Sequence, residues 1–397
     1  MEIRIVEDIQ GDGLGPELVL HWYSPEVMCR GVVVVDTTVR GKSVGGTRML
    51  PDISTKEIFS LAREMTLKYA ALGRPRGGGK GGIWANPDSM PISQRERIMR
   101  AYGRGIKALA QAGTFFAGAD MGTSHADMVW VREETGVAAP LPKFWGEEKD
   151  GESLDYHFTG YGVVMAARAA AEFLGMDLSR ATIAIEGFGK VGSGVARYGT
   201  QLGAKVVAVS TLRGAIYREQ GLDVNRLLDL RKKFGDDLVL KYEGARAIPK
   251  EELFFLPVDI LVPGSRPWLI HEKNVDRVKA KLISSGANIP ITDAAEERLF
   301  QKKITIIPAF LSNSGGAVSS HYGAINVTVE QAFRGIQKII GENVLEVLRE
   351  AVREKISPTR LATQKTMETV RRWKAGQPPT DEEYFRKLRT AAGVQGA

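Results

Sequence analysis

The sequence predicts a two-domain α/β protein with a cleft between the domains, and three observations predict it. Five short β-rich segments alternate with helical ones between Ala181 and Phe310, the pattern of a parallel sheet covered on both faces. A glycine turn joins the first of these segments to the helix after it. The stretch "APLPKFWGEEKDGESLDYH", Ala139 to His157, breaks periodicity with prolines, glycines and charges, so it reads as a connection between domains. The expected divisions are 1–147, 148–328, and a C-terminal segment 329–397 whose helices return towards the first domain.

The elements follow in chain order. "GVVVVDTTV", Gly31 to Val39, is β-branched and reads as a strand. A helix runs from Ser54 to Leu72, opened by an S-x-x-E capping box of Ser54 and Glu57. Its residues Ile58, Leu61, Met65, Lys68 and Leu72 share one face. A second helix covers "SQRERIMRAYGRGIKALAQAG". "FFAGADMG" places Asp120 after an apolar run and before Gly122, an acid in a turn at a strand end; an ordinary Asp turn or helix cap reads the same way. Beyond the connection come the strands "ATIAIEG", "AKVVAVS", "VDILVPG", "AKLISSG" and "ITIIPAF". From about Thr328 the pattern is helical, with Leu345, Leu348, Val352 and Ile356 expected as one packed stripe. "GQPP" ends the last long helix, and a charged tail follows.

Composition narrows the functional classes. The 397 residues are 43% apolar and carry a net charge of +7, with both signs interspersed and no polybasic tail. That is a solvated surface suited to anionic small molecules rather than to nucleic acid. Cys29 is the only cysteine, which rules out an intrachain disulfide and fits a reducing cytoplasm. The opening "MEIRIVEDIQGDG" lacks the apolar core of a signal peptide, and runs such as "GVVVV" are far too short to span a bilayer. No two of the five histidines stand at metal-ligand spacing, so no metal site is expected.

The glycine turn is specific in context. Gly187, Gly189 and Gly192, with Lys190 and Val191 between the last two, fit G-x-G-x-x-G between a strand and a helix. The first glycine permits a tight turn, the second admits a pyrophosphate, and the third lets helix and strand pack closely. A doubly wound, Rossmann-like dinucleotide-binding domain follows. An acid about 20 residues on would hold the ribose hydroxyls. Ser210 and Thr211 stand there instead, followed by Arg213. Small hydroxyls with a cation suit a 2′-phosphate and favour NADP over NAD; the alternative is a solvated Arg213 without influence on the choice.

The other chemical signal is a pair of lysines. Lys68 sits on the apolar stripe of the first helix, where it needs a partner unless its head snorkels to water. Lys80 stands in "GRPRGGGKGGIWANP", read as a glycine loop that crowds a substrate against a walled-in amine. A phosphate-binding loop is the rival reading, but Gly81 follows the lysine where a P-loop has Ser or Thr. Two lysines in a dry cleft depress each other's pKa, so that one can act as a neutral base.

Taken in order, "GGTRMLPDIS", "MTLKYA", "RGGGKGGI", "GADMGTSHADM", "HFTGYGVV", "IEGFGKVG", "RGAIYREQGLDV", "SGANIPIT" and "IPAFLSNSGG" resemble the glutamate/leucine/phenylalanine/valine dehydrogenase family from about Gly31 to Tyr322. The resemblance implies an α/β substrate-binding and oligomerisation domain beside the dinucleotide domain, and homo-oligomers (hexamers or octamers). It implies reversible NAD(P)-dependent oxidative deamination of an L-amino acid to a 2-oxo acid and ammonia. By position, Lys80 resembles the catalytic lysine, Lys68 the ligand of the substrate α-carboxylate, and Asp120 the proton-handling aspartate. Thr159 and Asn288 match positions near the nicotinamide, and Asn313 matches one lining the substrate site.

The departures from the family pattern bear on substrate and cofactor. Val44 replaces the lysine with which glutamate enzymes hold a side-chain carboxylate, whereas Ser320 matches a serine they use for the same group. Losing a buried cation outweighs keeping one hydroxyl, so a neutral or apolar side chain is favoured, with glutamate as the alternative. Ser285 stands where the family has glutamate, and "VPGSRPW" replaces "PAALEN". Those changes leave a further alternative, a non-catalytic regulatory subunit of a dehydrogenase assembly.

Overall fold

The computed structural model describes residues 11–137, 144, 147–149 and 152–394. About half of the expected connection at 139–157, and the first ten residues, lie outside them. Two compact units divide the chain: Met1–Leu141 with Lys365–Tyr384, and Pro142–Gln364 with Phe385–Ala397. The helical segment from 329 onward is thus shared between them.

The first unit holds β1 (Leu18–Ser24), β2 (Cys29–Val35), β3 (Ser43–Met49), α1 (Thr55–Leu72), β4 (Gly77–Ile83), α2 (Ile92–Gln111), β5 (Phe115–Ala119) and α3 (His125–Thr135). The sheet order is β1-β2-β4-β3-β5. β2 is antiparallel to β1 and β4, and β3 is parallel to β4 and β5. Val32 to Val35 of β2 are all buried, because helices cover both faces. Val33 and Val35 join Met99, Tyr102 and Ile106 of α2 in one core. α1 is capped by Ser54, whose side chain accepts from Glu57 N, and stops at Gly73 in the left-handed region (φ 76°). Val370 and Trp373 pack on Leu14, Val39 and Ala70, and Asp381 pairs with Arg74 and Arg76.

The glycines around Lys80 correct an expectation. They form no loop; they are β4, a fully buried strand between β2 and β3. Glycine is a poor strand former on its own, so the reason is tertiary. A Cβ at Gly78 would lie 2.2 Å from Ala62 O and from Thr66 N of α1. One at Gly45 of β3 would lie 1.6 Å from Gly79 O. The absent side chains let α1 lie directly on the sheet, and the lysine between them is 3% exposed.

The second unit contains a short hairpin, β6 (Glu148–Lys149) and β7 (Glu152–Ser153), then α4 (Leu154–Phe173). Its sheet comprises β8 (Thr182–Glu186), β9 (Lys205–Thr211), β10 (Gly214–Tyr217), β11 (Arg246–Ile248), β12 (Ile260–Pro263), β13 (Leu282–Ser284) and β14 (Thr305–Ile307). The order is β11-β10-β9-β8-β12-β13-β14. The five expected strands form the parallel part, and β10 and β11 extend it antiparallel at one edge. α5 (Lys190–Gln201) follows β8. Sequence order departs from β8 in both directions, to β9 on one side and β12 on the other, which makes its carboxyl end the switch point where such sheets bind ligands.

The stripe expected on the helix Val329–Glu354 needs correction. Leu348 is buried, but Val352 is 66% exposed, and Leu345 and Ile356 are half-buried. The covered face runs instead through Ile336, Ile340, Val344, Val347 and Ala351. Both rows have helical spacing; the longer one, begun further upstream, faces the core.

Candidate active site

Lys68, Lys80 and Asp120 converge in the first unit. Lys80 projects from β4 towards α1, as the neighbouring Gly78 and Gly82 would. Asp120 follows the last residue of β5, its turn fixed by Asp120 N donating to Thr123 Oγ1 at 2.9 Å and by Gly122 at φ 78°. Lys80 Nζ lies 2.5 Å from Asp120 Oδ2. Lys68 lies on the buried face of α1, 6% exposed, within electrostatic reach of Glu64, Lys80 and Asp120. It does not snorkel.

Burial sets the charges of this cluster. It pushes Lys68 down to about 8; the Lys80 charge adds to the fall, and Glu64 and Asp120 oppose it. Burial also lowers Lys80, helped by Arg48 and opposed by Asp120 and Glu57. For Asp120 burial alone would raise the pKa, but Lys80 and Arg48 outweigh it and hold the carboxyl well below its usual range.

Two members of this cluster escaped the sequence reading. Arg48, 4% exposed, places Nη1 2.7 Å from Glu57 Oε1 and Nε 3.4 Å from Asp120 Oδ2. Glu57 therefore spends its carboxylate on Arg48, and only the Ser54 half of the expected capping box forms. Arg48 stood within "GGTRM", but its partners are remote in the chain. Val44 of β3 is half-buried, paired with Gly78, and alternation puts it on the same face as Arg48.

The second unit carries the nucleotide end. Gly187 has φ 85° and donates its N–H to Ser210 Oγ at 3.0 Å, and Phe188 N donates to Ser210 O at 2.6 Å. Gly189 is the N-cap of α5, with open space where a Cβ would be. A Cβ at Gly192 would stand 2.2 Å from Gly187 O. The turn fits a dinucleotide pyrophosphate: room at the second glycine and contact at the third. Lys190 is exposed and Val191 half-buried at the start of that helix. Asn313 is buried; its Nδ2 donates to Ala287 O (3.0 Å) and Asn288 Oδ1 (3.1 Å), while its Oδ1 is buried without a hydrogen-bond partner, an acceptor fit for a carboxamide. Thr159 lies half-buried on α4.

The strand-end residues are more committed than their sequence implies. Thr211 Oγ1 donates to Asp236 O at 2.7 Å and accepts from Arg213 N, and Arg213 Nε lies 2.9 Å from Asp237 Oδ1. The hydroxyls of Ser210 and Thr211 are used inside the protein, and acids come to the strand end from a distant segment. Ser320 Oγ donates to Ala317 O, one turn back in its own helix. The altered segments are built together: Glu186 at the end of β8 accepts from Gly264 N, Ser265 N and Ser265 Oγ, and Trp268 N donates to Ile289 O. Ser285 is buried, and its carbonyl accepts from Ser312 Oγ at 2.7 Å.

Comparison with known proteins follows this geometry. The model of the glutamate/leucine/phenylalanine/valine dehydrogenases matches residues 151–376, and that of their dimerisation domain matches residues 25–136. The chain belongs to this family. It is an NAD(P)-dependent amino acid dehydrogenase of the two-domain α/β type, since relatives include NAD-specific and NADP-specific enzymes. The chain is 35% identical over 324 residues to a glutamate dehydrogenase of Aeropyrum pernix, covering 78% of this chain and 76% of that one. It is 36% identical over 302 residues to that of Thermotoga maritima, covering 74% and 71%. A leucine-bound, hetero-hexameric glutamate dehydrogenase from Thermus thermophilus superposes with a TM-score of 0.80 at 26% identity, covering 92% and 91%. Among the described residues no helix is long and apolar enough to cross a membrane.

Proposed function

We propose that this dehydrogenase acts on an L-amino acid with a neutral or apolar side chain, and that Lys68, Lys80 and Asp120 carry its chemistry. The observation that supports the roles is the buried contact of Lys80 with Asp120 beside a second buried lysine. Lys68 neutralises the substrate α-carboxylate, which a dry site would otherwise reject. The substrate reacts as the free amine, whose N–H donates a hydrogen bond to the Asp120 carboxylate, so Lys80 stays neutral up to hydride transfer. A nicotinamide bound at the glycine turn would supply the acceptor for the hydride that leaves the α-carbon. Neutral Lys80 then draws a proton from the water that attacks the resulting imine, and the Asp120–Lys80 pair returns a proton to the departing nitrogen. The glycine turn at Gly187 to Gly192 holds the dinucleotide, with Asn288 and Asn313 towards its carboxamide.

Val44 supports the substrate class: it presents methyl groups on the sheet face that carries Arg48, where a lysine would meet an acidic side chain. The glutamate alternative is favoured by the names of the relatives in hand. Turnover over a panel of L-amino acids, for the wild type and Val44→Lys, separates them. A preference for apolar substrates that moves towards glutamate in the variant supports the first reading; a wild type selective for glutamate overturns it. The reading as a non-catalytic subunit draws on the similar hetero-hexameric assembly. The intact buried trio favours an active enzyme.

A further inference from the structure

Asp120 is shared by two cations. Lys80 approaches its Oδ2 from β4 at 2.5 Å, and Arg48 approaches the same oxygen from β3 at 3.4 Å. Arg48 is in turn fastened to Glu57 in the first turn of α1 at 2.7 Å. The charged groups facing Lys80 are thus Arg48 from β3, Asp120 beyond β5, and Glu57 and Lys68 from α1, with Glu64 beside Lys68. A guanidinium does not lose its proton in a protein, whereas an ammonium does. With Asp120 ionised between them, only the lysine of the pair can become neutral.

We propose that Arg48, braced by Glu57, is a positioning residue for proton transfer: it fixes the Asp120 carboxylate against Lys80 and leaves Lys80, of the two cations on that carboxylate, as the one that exchanges a proton. This rests on the roles proposed for Lys80 and Asp120. Arg48 needs no contact with substrate. Its guanidinium reaches Asp120 through the side of the carboxylate and keeps a fixed positive charge close to the amine. Glu57 prevents that charge from being an unpaired buried cation.

The test compares wild type, Arg48→Met, Arg48→Lys and the charge-balanced pair Arg48→Met with Glu57→Gln. Two readouts are taken against pH: kcat/KM with the best amino acid, and the rate at which Lys80 is acylated by a small reagent, followed by peptide mass spectrometry. The second needs no turnover, so it judges Arg48 even if the proposed reaction is wrong. Loss of the fixed cation is expected to raise the midpoint of Lys80 labelling, and of the acid limb of kcat/KM, by about one pH unit. Near pH 7 that is roughly a tenfold loss in rate on the acid limb. Arg48→Lys is expected to restore most of the shift. The double variant guards against misfolding caused by Glu57 left alone. A folded Arg48→Met variant that keeps the wild-type midpoints overturns the proposal; in the double variant, which also loses the opposing Glu57 charge, a smaller rise is expected, and a midpoint below that of the wild type overturns it.

Discussion

Lys68→Met replaces a buried ammonium with an apolar chain of similar length. In the fold the Lys68 pKa falls from 10.5 to about 8, with burial as the chief cause. At roughly 1.4 kcal/mol per unit, the charged form destabilises the protein by about 3 kcal/mol relative to a lysine in water. The sign follows from proton counts. Between pH values of about 8 and 10.5 the unfolded chain binds the proton that the folded chain has released, so stability rises with pH across that window. The stabilising share is fully present above the unfolded value and is lost as pH falls through the folded one. Urea unfolding of wild type and variant from about pH 7 to about pH 10 reads the effect. The wild type is expected to gain roughly 2 to 3 kcal/mol on the variant over that range. Lys80, freed of a neighbouring charge, titrates higher in the variant and widens the difference. Substrate binding is expected to be lost in the variant at every pH. A pH-independent gap between the two unfolding curves refutes the reasoning, since it means that Lys68 titrates as if solvated.

Further expectations concern the cofactor and the glycine strand. Asp237→Asn frees Arg213 and removes a negative charge from the strand end where a 2′-phosphate would lie; the ratio of NADP to NAD affinity, measured by fluorescence titration, is expected to rise several-fold, and an unchanged ratio separates this pair from cofactor choice. Gly78→Ala puts a Cβ 2.2 Å from the backbone of α1; overpacking of this kind costs about 1–3 kcal/mol or more, read as a lower unfolding midpoint, and wild-type stability would show that α1 can move off the sheet.

The nucleotide half was legible in the sequence because its signals are local. β-branched strands, a glycine turn and the following helix are contiguous, and each glycine does in the fold what its position implies. Asn288 and Asn313, 25 residues apart, meet through their amides, a contact that the sequence did not announce. The first unit was legible in its residues but not in its form. Lys68, Lys80 and Asp120 could be named, yet β4 could not be recognised as a strand, since glycine carries no strand preference and the cause lies in α1. Glu57 fitted a local cap so well that its remote partner Arg48 stayed hidden. The partners of Thr211 and Arg213 were hidden in a similar way: Asp236 and Asp237 arrive from a segment about 25 residues on.

The central claim is that the buried Lys80 amine drives an amino acid dehydrogenase reaction. It is tested most directly by following absorbance of reduced nicotinamide while wild type and Lys80→Ala are supplied with L-amino acids and either dinucleotide, with dinucleotide binding measured in parallel. The account predicts turnover in the wild type, none above background in Lys80→Ala, and near-equal dinucleotide binding in both. Turnover that survives in Lys80→Ala, or a wild type that binds dinucleotide yet oxidises no amino acid, would contradict it.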